Sequence, residues 1–194
     1  MKSISVTFLL SSALVVSAAL MLAAALSGCH AAPTAPPAPR PLETPAQLAL
    51  GAPAADGSSA MVPFVDGQDA ELVAGAQGGF HVWMQLALKD VPAGATINLE
   101  RTAHRLSDDA VVLRFDSSAV VGELDPDGWF RSPTPFPMFM CPTPIGISVV
   151  DTPVVFQVRV SDESGATDLA RAAVTLVPRC PESRRDLCAR ICTG

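Results

Sequence analysis

The chain has 194 residues, 13 Lys+Arg against 19 Asp+Glu, a formal net charge of −6 and a mean hydropathy of +0.35. An acidic chain without a Lys/Arg stripe has no means of neutralising phosphates, which argues against nucleic acid as a partner. It equally offers no basic patch to anionic lipid headgroups. Past its first apolar stretch the chain suits one domain of about 130 residues, which buries roughly two-thirds of its unfolded surface.

Met1 to Gly28 has the parts of a secretory signal: Lys2 in a short polar start, an apolar run, and small residues at the end. The run from Ile4 to Leu26 is broken only by Ser5, Thr7, Ser11, Ser12 and Ser17. At that length it could also span a bilayer uncleaved. Ordinary signal cleavage near Ala23-Ala24-Ala25 is a third reading.

The run ends in Leu26-Ser27-Gly28-Cys29. This tetrapeptide resembles the lipobox of bacterial lipoproteins: an aliphatic residue, two small residues, then cysteine. The resemblance implies removal of residues 1–28 as a signal peptide and lipidation of Cys29, so that the chain meets a membrane through its N-terminal lipid. Each buried CH₂ contributes about 0.8 kcal/mol, so two or three acyl chains anchor stably where one would not. In the lipoprotein family an aspartate after the cysteine tends to retain the protein in the inner membrane. His30 stands there instead, which implies the outer membrane.

Cysteine arithmetic points the same way. Five cysteines is an odd number for a secreted chain. With Cys29 acylated, Cys141, Cys180, Cys188 and Cys192 remain to form two disulfides in an oxidising compartment.

Residues 29–45 form a linker carrying Pro33, Pro36, Pro37, Pro39, Pro41 and Pro45 among alanines. Repeated proline fixes φ and removes donors, so polyproline II is the expected conformation. At about 3.1 Å per residue, fifteen such residues reach roughly 45 Å.

Residues 46–179 carry the alternation expected of a β domain. Gln47 to Gly51 reads as a first edge strand. The clearest strand is Phe80 to Lys89, with Phe80, Val82, Met84, Leu86 and Leu88 on a core face and His81, Trp83, Gln85, Ala87 and Lys89 opposite. Ala95 to Glu100 follows with Ile97 and Leu99 inward, then Val111, Leu113 and Phe115. Val154–Ser161 and Leu169–Val177, joined through Asp162-Glu163-Ser164-Gly165, read as an antiparallel hairpin.

That hairpin resembles the closing pair of bacterial immunoglobulin-like and cadherin-like extracellular modules. The resemblance implies an all-β fold, an immunoglobulin-like antiparallel β-sandwich. It departs from antibody domains in having no cysteine in the Phe80 or Val154 strands and no tyrosine for a tyrosine corner.

Gly122 to Pro144 reads differently, as a long loop with Pro126, Pro133, Pro135, Pro137, Pro142 and Pro144. Its Trp129, Phe130, Phe136 and Phe139 either plug an open end of the sandwich or form an exposed recognition patch. His81 and Trp83 extend that candidate interaction surface, or merely pack across strands. Residues 180–194 form a disulfide-rich tail. The expected pairing is Cys141–Cys180, stapling the loop, with Cys188–Cys192 closing a short turn. The spacing fits no usual zinc pattern.

Chemistry finds little purchase. The candidate bases are His30, His81 and His104, no G-x-S-x-G elbow occurs, and no catalytic residue is assigned. Asp108-Asp109 and Asp125-Pro126-Asp127-Gly128 could be paired carboxylates, although the second is first a turn sequence. Asp66, Asp69 and Glu71, or Asp125 and Asp127, could hold calcium weakly, without an EF-hand loop. His81, Met84, Met138 and Met140 could hold Cu(I), although His81 and Met84 lie on opposite faces of one strand. The expectation is an envelope lipoprotein with no cofactor and no metal, acting as a structural or interaction module with an envelope protein partner. A periplasmic protein binding Ca or Cu is the alternative.

Overall fold

The computed structural model describes residues 46–56 and 60–193. Cys29, with the leader and linker expected around it, lies outside these residues. The described residues form a two-sheet sandwich with one short helix.

One sheet is built on β5 (Phe80–Lys89). β1 (Gln47–Pro53) pairs antiparallel from Gln47↔Lys89 to Gly51↔Gln85, and β2 (Met61–Pro63) extends β1. β4 (Val73–Ala74) meets β5 at His81 and Phe80. β8 (Trp129–Arg131) pairs opposite β1, with Leu88 bonded between Leu48 and Phe130. β9 (Phe136–Cys141) pairs opposite β4, reaching Phe80↔Cys141.

The segment expected as one long loop thus contains two strands. Prolines made it read as loop, but proline is tolerated on an edge strand, where no partner needs its missing N–H. Pro137 lies within β9 opposite Trp83.

The second sheet has the order β3–β11–β10–β6–β7. β10 (Val154–Asp162) and β11 (Asp168–Arg179) form the expected hairpin, Val154↔Leu176 onward. β6 (Thr96–Arg105) pairs with β10 and with β7 (Ala110–Val120). β3 (Gln68–Glu71) runs parallel to β11, an exception in an otherwise antiparallel sandwich. The sets β1–β5–β8/β9 and β11–β10–β6–β7 match the two sheets of an immunoglobulin-like domain.

The core follows from alternation. Phe80, Met84, Leu86, Leu88, Ile97, Phe156 and Leu176 are buried in one cluster. The opposite face of β5 is not left to solvent: His81, Gln85 and Ala87 are also buried. Gln85 reaches cover by donating Nε2–H to the Ser132 carbonyl (2.7 Å), while Ser132 Oγ accepts from Leu86 N–H (3.3 Å). Val111 points away from Leu113's face because the register shifts at Ala103/His104.

After β11 the chain turns through a short 3₁₀ segment into α1 (Arg185–Cys192). Cys188 and Cys192 lie one helical turn apart, so both face the sandwich and are fully buried. The disulfides are Cys141–Cys192, with Cα atoms 5.0 Å apart, and Cys180–Cys188, with Cα atoms 5.7 Å apart. The expected pairing is therefore corrected. Two cysteines side by side on one helix face point along parallel Cα–Cβ directions and meet partners on other elements rather than each other.

Candidate functional site

The most distinctive surface feature lies on the outer face of β5 and β9. Alternation places His81 and Trp83 there, and the register puts Phe139 opposite His81. The His81 ring stands edge-on to Trp83, centroids 4.5 Å apart, and 6.0 Å from Phe139. Phe139 is 51% exposed, whereas His81 is only 5% exposed. The turn closed by Gly75 N–H to the Gly79 carbonyl (2.8 Å) lies against the ring. A Cβ on Gly75 would stand 3.3 Å from His81 Cε1 and Nδ1, so a larger residue would displace the imidazole.

His81 Nε2 is buried without a hydrogen-bond partner. Burial disfavours the imidazolium and pushes the His81 pKa below its ordinary value. The patch is thus an aromatic surface laid over a neutral imidazole.

The other proposed contact residues separate. Phe130, 6% exposed, belongs to the core and leaves the surface patch, because its place opposite Leu88 is on the inner face. Phe136 is likewise corrected: it lies opposite Met84 and packs inward. Trp129 sits opposite Lys89 at the far end of β5, with the ammonium 5.8 Å from its ring centre. It shares a face with His81 and Trp83 but not a cluster.

Phe136 meets a residue the sequence did not single out. Arg101 occupies an inward position of β6 and is 7% exposed. Its guanidinium carbon lies 4.5 Å from the Phe115 ring centre and 4.9 Å from that of Phe136. Nη2 donates to Ser117 Oγ (3.4 Å), and Nε has no partner. Burial lowers the Arg101 pKa while the nearby Asp116 charge opposes the shift. The signal was legible as a charge in the alternating inward series Ile97, Leu99, Arg101, Ala103.

Four of the acidic candidates are occupied structurally. Asp66 accepts from Thr175 N–H (2.7 Å), and Asp69 pairs with Arg179 (2.9 Å). Asp125 caps its own turn, accepting from Asp127 and Trp129 N–H groups (3.0 and 2.9 Å), and pairs with Arg131. Asp108 binds Arg105 through both oxygens (2.9 and 2.5 Å), which holds its carboxyl down at about 2. Such a group stays ionised near neutrality and cannot serve there as a general acid.

Met84, Met138 and Met140 fill the core, while His81 lies on the outer face, so these four do not converge. Among the described residues no group of three His, Cys, Asp or Glu side chains is arranged to hold a metal ion.

The outer face of the second sheet carries a shallow groove lined by Glu100, His104, Arg114, Arg159 and Arg171. Its arginines are all paired: Glu100 pairs with Arg114 (2.6 Å) and Arg159 (3.4 Å), and Asp168 beside the groove pairs with Arg159 and Arg171, three cations against two carboxylates. This is a solvated ion-pair network with one positive charge in excess.

No protein-family model matches the chain, and no curated protein matches it.

Proposed function

We propose that the chain is a lipoprotein held at the outer membrane by an acylated Cys29, and that its sandwich is a non-catalytic structural or protein-interaction module of the cell envelope. The observation that carries this reading is the thiol inventory. Cys141–Cys192 and Cys180–Cys188 use four of the five cysteines. The fifth ends the lipobox-like Leu26-Ser27-Gly28-Cys29. Two disulfides also suit an oxidising compartment.

A non-catalytic role is supported by what four of the carboxylates and one histidine do: Asp66, Asp69, Asp108 and Asp125 hold turns or pair arginines, and His81 is packed between aromatic rings, while His104 stands 3.4 Å from Asp109. The contact region is centred on Trp83 and Phe139, which offer aromatic surface on a face stiffened by β5. Aromatic side chains are enriched among residues that dominate binding.

Membrane fractionation of the parent and of Cys29→Ser tests the anchor: the parent should sediment with membranes and the variant should not mature. Crosslinking in intact envelopes then tests the contact region. Partners should be lost from Trp83→Ala or Phe139→Ala; partners indifferent to both changes would place the contact elsewhere.

A further inference from the structure

Most strand edges of this sandwich are defended against pairing with another chain. β2 is three residues long and ends in Pro63, β3 has four residues, β4 two and β8 three, and β9 contains Pro137. Short edges and edge prolines are how sheets avoid adding foreign strands.

β7 is the longest open edge among the described residues. It is the outer strand of its sheet, runs for eleven residues without proline, and pairs only with β6. The register shift at Ala103/His104 disturbs its beginning, but from Leu113 to Val120 the ladder is regular. It also exposes apolar side chains: Val111 is 50% exposed, Phe115 43% and Val120 62%.

Its charges are placed unusually. Asp116 stands directly opposite Glu100 on β6, a like-charge pair, and Glu100 already holds Arg114. Like charges directly opposite destabilise a sheet. Asp116 therefore sits on an open edge opposite Glu100, with Arg101 near enough to feel its charge and Arg114 two residues away on its own face.

We propose that β7 is a homodimerisation edge, which a second copy extends by adding its own β7 antiparallel, with the twofold axis at Phe115. In that register Arg114 faces Asp116 of the second copy, and Asp116 faces its Arg114, as a twofold interface requires. Phe115 meets Phe115, and Leu113 meets Ser117. Asp116 gains a directly facing cation, whereas its own Arg114 pairs with Glu100. The two five-stranded sheets become one continuous sheet, and both open edges disappear. One strand pair is a small interface of the weak class, below about 1,200 Å².

Sedimentation equilibrium of the chain as cells produce it, disulfides intact and in density-matched detergent, reads the association. It should give a monomer–dimer equilibrium with Kd between about 10 µM and 1 mM. Asp116→Arg places arginines opposite each other twice and should weaken the dimer at least about tenfold. Mixing Asp116→Arg with Arg114→Asp chains pairs two arginines with two aspartates and should restore association. Hydrogen exchange needs no variant: alternate β7 amides of the parent should slow on concentration. A parent that stays monomeric to about 1 mM, a dimer indifferent to Asp116→Arg, or β7 amides whose exchange ignores concentration would each overturn the proposal.

Discussion

The sulfurs of Cys188 and Cys192 lie 3.9 Å apart in the core, yet each is bonded to a different partner. Cys188 ties α1 back to the end of β11 through Cys180, and Cys192 ties it to β9 through Cys141. The helix is therefore clamped to both sheets of the sandwich.

The two bonds should differ in weight. Cys141–Cys192 spans 51 residues and Cys180–Cys188 spans 8. On the chain-entropy account, closing these loops contributes about 4 and about 2.5 kcal/mol. Denaturant unfolding of Cys141→Ala/Cys192→Ala and of Cys180→Ala/Cys188→Ala checks the order. Equal losses would show that loop closure is not what the bonds contribute.

The β10–β11 hairpin and β5 are patterned by alternation, and their positions follow from sequence alone. Alternation gives the two faces of β5 but not what covers the outer one, because what buries His81 and Gln85 comes from elsewhere in the chain: Phe139, the Gly75–Gly79 turn and Ser132. The short strands β2, β3 and β4 have too few residues to show a period. α1 was hidden by its length. Eight residues hold two turns, and its apolar positions Leu187, Cys188, Ile191 and Cys192 read equally as a cysteine-rich tail. Of the contact residues, Trp83 and Phe139 meet around His81, while Phe130 and Phe136 turn inward by the register of β8 and β9.

Arg101 should be dispensable as a charge but not as volume. A buried guanidinium gains from its two aromatic faces but loses its hydration. Arg101→Met keeps most of the volume and should leave stability within about 1 kcal/mol of the parent, or raise it. Arg101→Ala leaves a gap between Phe115 and Phe136 and should cost about 2–4 kcal/mol. Chemical denaturation midpoints decide; a methionine variant as damaged as the alanine variant would show that the charge itself is needed.

His81 should make the fold sensitive to mild acid. Its folded pKa is lowered by burial. As pH falls below the unfolded value near 6.5, the unfolded chain takes up a proton before the folded chain does, so stability declines. His81→Phe fits the aromatic surroundings and should flatten stability between about pH 7 and 5. An unchanged slope in that variant would assign the effect to other groups.

Stronger acid acts through carboxylates. The Ser164 hydroxyl and then Thr167 hold Asp162 down to about 2, as Arg105 does Asp108. With folded values below the unfolded ones near 3.9, their contribution is full above about pH 5 and vanishes as pH falls through about 2. Asp162→Asn should be less stable than the parent at pH 7, with the difference closing on acidification. Thermal melts from pH 7 to 2 read this directly, and a constant difference would contradict it.

Mass spectrometry of the N-terminal peptide from membrane-isolated protein, under non-reducing conditions, tests the anchor most directly. Lipidation predicts a mature chain beginning at an acylated Cys29, with the other four cysteines oxidised and no free thiol. An unmodified Cys29 in a protein recovered from the soluble fraction would contradict it.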